Sequence, residues 1–151
     1  MIKEGQKAPN FNLPNQNGED TSLSDFLGKK VVLWFFPKAS TPGWTTEGQG
    51  FRDELEHFND KDISVIGMSA DSVQKQKNFC DKQNFSYPIL ADETKETLKA
   101  YGAWGVKKMY GREYKGIIRC SFLINEEGIV EKVYDKVKTK SHAKDILSDI
   151  G

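Results

Sequence analysis

The sequence predicts an α/β fold in which a central mixed β-sheet is flanked by helices and preceded by an N-terminal β-hairpin. Three features carry that expectation. Val31-Val32-Leu33-Trp34-Phe35-Phe36 is an apolar run without alternation, as expected of a central strand covered on both faces. From there to Gly102, strand-like and helix-like segments alternate, the pattern of helices layered on a sheet. Beyond it, two strand-like runs joined by Asn125-Glu126-Glu127-Gly128 predict a hairpin, and a last helical segment closes the chain.

Taken in order, Phe11-Asn12-Leu13 and the stretch after Asn17-Gly18 form the first hairpin, because Asn-Gly favours the positive φ angles of tight turns. Leu23–Leu27 is a brief helix with Ser22 as N-cap and Gly28 as its stop. Pro37 ends the strand Val31–Phe36. After the Pro42-Gly43 pair a helix runs through about Phe58, with Phe51, Leu55 and Phe58 at helical spacing. Ile63–Met68 is the next strand, and a helix from about Val73 to Gln83 carries Phe79 and Cys80 near its end. Pro88-Ile89-Leu90 is a short strand, and Thr94–Tyr101 a helix stopped by Gly102. Arg119–Ile124 and Gly128–Tyr134 are the hairpin strands, and the final helix spans about Ser141 to Ile150.

The 151 residues, 37% hydrophobic and 29% charged, suffice to bury a core without disulfide staples. Basic and acidic residues number 22 each and are interleaved, so nothing points to a nucleic-acid surface, an acidic-lipid binder or a charged tail. Met1–Lys7 lacks the apolar segment of a secretory signal, and the longest apolar run falls far short of the ~20 residues that cross a bilayer. Two cysteines, Cys80 and Cys120, are too few for an extracellular scaffold, which makes the reducing cytoplasm the expected location. With no repeat, low-complexity segment or linker, residues 1–151 are expected to form one domain. His57 and His142 lie far apart without metal-ligand spacing and are expected at the surface of helices. Glu54/Glu56 and Glu126/Glu127 are expected on solvated faces and turns. No metal or other cofactor is expected.

The chemistry concentrates in Pro37-Lys38-Ala39-Ser40-Thr41-Pro42-Gly43-Trp44-Thr45-Thr46-Glu47, which joins the buried strand to the start of a long helix. Unpaired backbone N–H groups and the positive end of the helix dipole converge there and favour an anion or a thiolate. A cysteine in that first turn would have a lowered pKa.

Pro37-x-x-x-Thr41-x-x-[44] resembles the peroxiredoxin motif Pro-x-x-x-Thr-x-x-Cys at every defined position but the last. The wider run Phe36-Pro37-Lys38 through Phe51-Arg52-Asp53 is similar to the bacterioferritin-comigratory, or Q-type, branch of that family. So are Gly5-x-x-Ala8-Pro9-x-Phe11, Ile63–Asp71, Tyr101-Gly102-Ala103-Trp104, Lys107–Gly111 and Arg119–Ile124. The resemblance implies a thioredoxin-like fold, with which the element order is compatible, and a thiol-dependent peroxidase. It implies peroxide as substrate, thioredoxin or a similar dithiol as reductant, and a monomer or weak dimer. In that family a thiolate at position 44 attacks the peroxide, Arg119 stabilises the charge, Thr41 hydrogen-bonds the peroxide, and Pro37 shields the pocket. Taken singly, an Arg on a strand is more often half of a surface ion pair, a Thr before a helix a cap, and a Pro punctuation. The motif reverses those odds.

Trp44 departs from the pattern. Its indole has no thiol to ionise, and its N–H only donates. It is also much larger than cysteine, so overpacking predicts that Trp44 swings out or that the first helical turn is remodelled or unwound. As written, the chain is expected to lack thiol peroxidase activity. Two origins fit: an engineered variant of a parent with cysteine at 44, or a natural member without its nucleophile. Retention of the rest of the pocket favours the first. A redox-inert thioredoxin-fold module that binds a partner protein is the competing reading.

In the Q-type branch the resolving cysteine lies either farther along the same helix, where this chain has Gln49, or on the later helix, at the position of Cys80. The resemblance therefore implies the atypical two-cysteine subtype with Cys80 resolving, although a lone helical cysteine is by itself more often structural. Cys120 is read as a core-strand residue. A Cys80–Cys120 disulfide is possible on count alone, with nothing in the sequence to bring the two together.

Overall fold

The computed structural model describes residues 2–36, 42–109, 111–118, 120–135 and 137–150; the side chains of 42–44, 107–109, 112, 114 and 115 lie outside that description. Strands β1 (Asn12–Pro14) and β2 (Asp20–Ser22) pair antiparallel as the expected N-terminal hairpin. Of the Asn-Gly pair only Gly18 takes a positive φ, +79°. The turn is closed by Asn15, whose Oδ1 accepts from the N–H of Asn17 (2.9 Å) and Glu19 (3.1 Å). The later hairpin repeats the device: Asn125 Oδ1 accepts from Glu127 and Ile129, each at 3.0 Å, and Gly128 has φ +80°. A 3-10 turn over Leu23–Phe26 forms the brief helix.

The remaining elements are β3 (Lys30–Phe35), α1 (Pro42–Asp60), β4 (Ile63–Ser69), α2 (Val73–Gln83), β5 (Ile89–Ala91), α3 (Glu96–Ala100), β6 (Trp104–Met109), β7 (Arg112–Ile117), β8 (Ser121–Ile124), β9 (Val130–Tyr134) and α4 (His142–Ile150). Five strands make the central sheet in the order β5-β4-β3-β8-β9, with β3, β4 and β5 parallel and β8 and β9 antiparallel to their neighbours. The sheet is mixed, as expected. One pairing was not anticipated: β6 and β7 form a separate antiparallel hairpin. Its strands carry Gly105, Gly116 and the lysines Lys107, Lys108 and Lys115, and lack strand alternation. Backbone closure at Gly111 (φ +76°) supplies what side-chain propensity does not.

Both faces of β3 are buried. Val31, Leu33 and Phe35 join a cluster with Leu90, Leu98, Tyr101 and Phe122. Val32 and Trp34 join Phe51 and Phe58 of α1, Phe79 and Cys80 of α2, and Ala143 and Ile146 of α4. Trp34 is fully buried, stacked on Phe51 with ring centroids 5.4 Å apart. This close fit depends on Gly67: a Cβ there would lie 2.6 Å from Ile89 Cδ1 and 2.9 Å from Trp34 Nε1. The indole is rigid and has no room to retreat, so Gly67→Ala is expected to destabilise the fold by about 1–3 kcal/mol. A melting temperature equal to the parent's would contradict this.

Burial raises the phenols of Tyr87 and Tyr101 well above their ordinary 10.0 and pushes the Cys80 thiol from 9.0 up to about 12. The folded chain thus keeps protons that the unfolded chain has released. The stability these groups contribute is fully present below about pH 9 and is lost as pH rises towards 12. The urea midpoint should be lower at about pH 10.5 than at about pH 8. An unchanged midpoint would rule out these buried groups as a source of alkaline instability.

Candidate active site

The start of α1 lies at the carboxyl end of the parallel strands, where open α/β sheets place their ligands. Phe36, directly after β3, is fully buried, and its N–H donates to the Met68 carbonyl of β4 (3.1 Å). The chain therefore leaves the sheet only after Phe36 and enters a 19-residue helix at Pro42. Proline suits the first helical position, where its missing N–H is not needed. Position 44 stands in the first turn, among N–H groups that have no partner within the helix.

Of the two outcomes expected at Trp44, an outward swing of the indole or an unwound first turn, the second is not seen: α1 is helical from Pro42 through Asp60. Tryptophan is only slightly poorer than most residues in a helix, and the backbone hydrogen-bond ladder is indifferent to side-chain volume. The Trp44 indole lies outside the described side chains. Pro37, Thr41 and Arg119 lie outside the described residues.

Cys80 is described fully. It is 3% exposed on α2, and burial is the main cause of its raised pKa, with the charge of Asp81 adding to it. Its carbonyl accepts the N–H of Asn84, a left-handed C-cap (φ 60°), and that of Phe85 (3.0 Å). The helix end so formed is clasped by α1. Arg52 Nη1 donates to the Gln83 carbonyl (2.8 Å), Gln49 Nε2 to Gln83 Oε1 (2.8 Å), and Tyr87 Oη to the Gly48 carbonyl (3.0 Å). Gly48 permits this approach, since a Cβ there would meet the Phe85 ring at 2.7 Å. Gln49 is thus a fastener of the Cys80 segment.

Cys120 is buried, as expected, but in the cluster on the opposite face of the sheet from Cys80. Neither cysteine is in a disulfide, and the sheet between them removes the Cys80–Cys120 pairing as an arrangement of this fold.

The two histidines were expected to behave alike, and they do not. His57 is exposed, with Nδ1 2.6 Å from Glu54 Oε2. The Glu54 side chain is only 13% exposed and is also approached by Lys144, so it is not the solvated carboxylate expected, whereas Glu56, Glu126 and Glu127 are exposed. His142 is only 3% exposed, which corrects its surface assignment. Its Nε2 is 2.8 Å from Ser121 Oγ on β8 and 3.8 Å from Glu47 Oε1 on α1. Both partners are buried as well. A signal for this existed: His142 shares one apolar stripe with Ala143, Ile146, Leu147 and Ile150 at three- and four-residue spacing.

Among the described residues no group of three or more His, Cys, Asp or Glu could hold a metal ion, and no helix is long and apolar enough to cross a membrane.

Comparison with known proteins places this geometry. Residues 4–133 match the AhpC/TSA family. The chain is 44% identical over 147 residues to a putative peroxiredoxin bcp of Buchnera aphidicola, covering 97% of this chain and 93% of that one. It is 43% identical over 149 residues to Peroxiredoxin Bcp of Bacillus subtilis, covering 99% and 95%. Among solved structures, a cysteine-to-serine mutant of Xylella fastidiosa PrxQ superposes with a TM-score of 0.93 at 32% identity, covering 99% and 96%. The Xanthomonas campestris bacterioferritin comigratory protein, described by its alkyl peroxide reduction activity, gives 0.88 at 36% identity, covering 93% and 89%. With its thioredoxin-like sheet and its helix start around position 44, the chain belongs to the AhpC/TSA family and, within it, to the Bcp or Q-type peroxiredoxins, thiol peroxidases that act on peroxides and are recycled by a thioredoxin-type dithiol.

Proposed function

We propose that this chain is a one-domain, atypical two-cysteine peroxiredoxin scaffold whose reaction is halted at one residue, Trp44. The observation that carries the reading is the intact first turn of α1 at the carboxyl end of β3, with a buried cysteine clasped to that same helix. In the working site a thiolate at position 44 attacks a peroxide oxygen: the S–O bond forms, the O–O bond breaks, and the leaving oxygen takes a proton to give water or an alcohol. Arg119 stabilises the charge, Thr41 hydrogen-bonds the peroxide, and Pro37 keeps water out. The sulfenic acid then condenses with the Cys80 thiol, releasing water, and thioredoxin or a similar dithiol reduces the disulfide. Hydrogen peroxide and organic hydroperoxides are the substrates; the activity named for the Xanthomonas relative supports the second class. The cytoplasm, where such dithiols are kept reduced, is the setting, and a monomer or weak dimer the functional form.

A redox-inert module that binds a partner protein is the second reading, and Trp44 itself is what favours it. Assaying Trp44→Cys with peroxide, thioredoxin and its reductase separates the two. Turnover identifies a peroxidase lacking only its nucleophile, and a folded but inactive variant identifies the module.

A further inference from the structure

Ser121, His142 and Glu47 take no part in the reaction assigned to position 44, yet they join three elements at one buried point. Ser121 begins β8, in register with Trp34 of β3 and Tyr134 of β9. His142 begins α4, and Glu47 lies one turn beyond position 44 on α1. Their exposures are 0%, 3% and 1%. The imidazole is held edge-on by two rings, Phe51 of α1 (5.7 Å, 85°) and Tyr134 (5.9 Å, 77°). Its Nε2 lies 2.8 Å from Ser121 Oγ, a hydrogen bond, and 3.8 Å from Glu47 Oε1, an ion-pair distance.

Apolar side chains would fill such a junction without the desolvation that three polar ones carry. What polar groups add is direction: a hydrogen bond fixes distance and angle, whereas methyl groups slide. With the proton on Nε2 the imidazole donates to Ser121 Oγ and turns a positive edge to the Glu47 carboxylate; with Nε2 bare, Ser121 donates instead and the attraction to Glu47 is lost. On α1 the Glu47 contact lies in the turn next to residue 44. On β8 the Ser121 bond grips the residue two places after Arg119 in the sequence.

We propose that His142 is a positioning residue of the peroxidase site: by bridging Ser121 and Glu47 it fixes the first turns of α1, and with them residue 44, against β8. The inference rests on the reading of position 44 as the point of attack. Small errors in the placement of a reacting group are amplified in rate, so a contact remote from the chemistry can still govern it.

Two variants separate hydrogen bonding from shape. His142→Phe keeps a ring between Phe51 and Tyr134 but removes both nitrogens; His142→Gln keeps a hydrogen-bonding group. In the chain as it stands, hydrogen exchange of the amides of residues 46–50 should accelerate about tenfold or more in His142→Phe. Those of residues 54–60 should change by less than about threefold, and His142→Gln should stay within about threefold throughout. Should His142→Phe fail to fold, Ser121→Ala removes the same contact from the strand side and is expected to give the same local acceleration. Unchanged exchange over 46–50, or equal acceleration by the Gln and Phe variants, overturns the proposal. In a Trp44→Cys background, His142→Phe should lower kcat/KM for peroxide about tenfold and His142→Gln recover most of it. If Trp44→Cys is itself inactive, the reading of position 44 fails, while exchange in the unaltered chain still decides the positioning role.

Discussion

Trp44→Cys is expected to raise peroxide consumption with a thioredoxin recycling system by at least about 10³-fold over the unaltered chain, which should read at background. The reason is chemical before it is structural. Bond formation to a peroxide oxygen needs a polarisable lone pair, and indole offers only an N–H donor. A cysteine there would meet the unpaired N–H groups and positive dipole of α1, which favour thiolate at neutral pH. Because α1 is already helical from Pro42, the exchange requires no refolding of the turn. Stopped-flow loss of peroxide, with mass spectrometry of the residue 44 peptide for sulfenic acid or its disulfide with Cys80, checks both halves. A folded variant that forms neither would refute the assignment of the site, whereas sulfenic acid that accumulates without turnover would place the fault in resolution by Cys80.

The second large effect concerns Cys80. In the folded chain it is expected to react with a maleimide roughly three orders of magnitude more slowly than a free thiol near pH 7.5, because the thiolate is the reactive form and a pKa of about 12 leaves very little of it. The sign follows from the same shift: reactivity should climb with pH up to about 12, where an ordinary thiol has levelled off near 9. Disulfide formation with position 44 then demands that the end of α2 open, and the Arg52, Gln49 and Tyr87 bonds to that segment and its partner turn are what must break. Arg52→Ala combined with Gln49→Ala should speed Cys80 labelling about tenfold or more and leave Cys120, buried across the sheet, as a slow internal reference. Equal acceleration of both thiols would indicate global unfolding and remove the clasp as its cause.

Element type and order were legible in the chain because both follow from local pattern. The unbroken apolar run became β3, and the helical spacing of Phe51 and Phe58 placed α1 on the sheet. The hairpin β6–β7 was not legible, since its pairing is carried by backbone and a glycine turn and leaves no periodicity behind. At the site, Cys80 could be placed on its helix from sequence, but not its clasp: Gln49, Arg52 and Gln83 are ordinary polar residues until two helices meet.

Position 44 shows where the division falls. That it lacks a nucleophile is a property of one residue's covalent structure, and sequence alone determines it. That the helix start around it is intact, and that a buried imidazole stands between the next turn and β8, depends on contacts between segments far apart in the chain. Such contacts obey volume, burial and hydrogen-bond geometry in three dimensions, which no local pattern of residues encodes. His57 and His142 are the same residue type on two helices of one chain; only the tertiary structure exposes the first and buries the second.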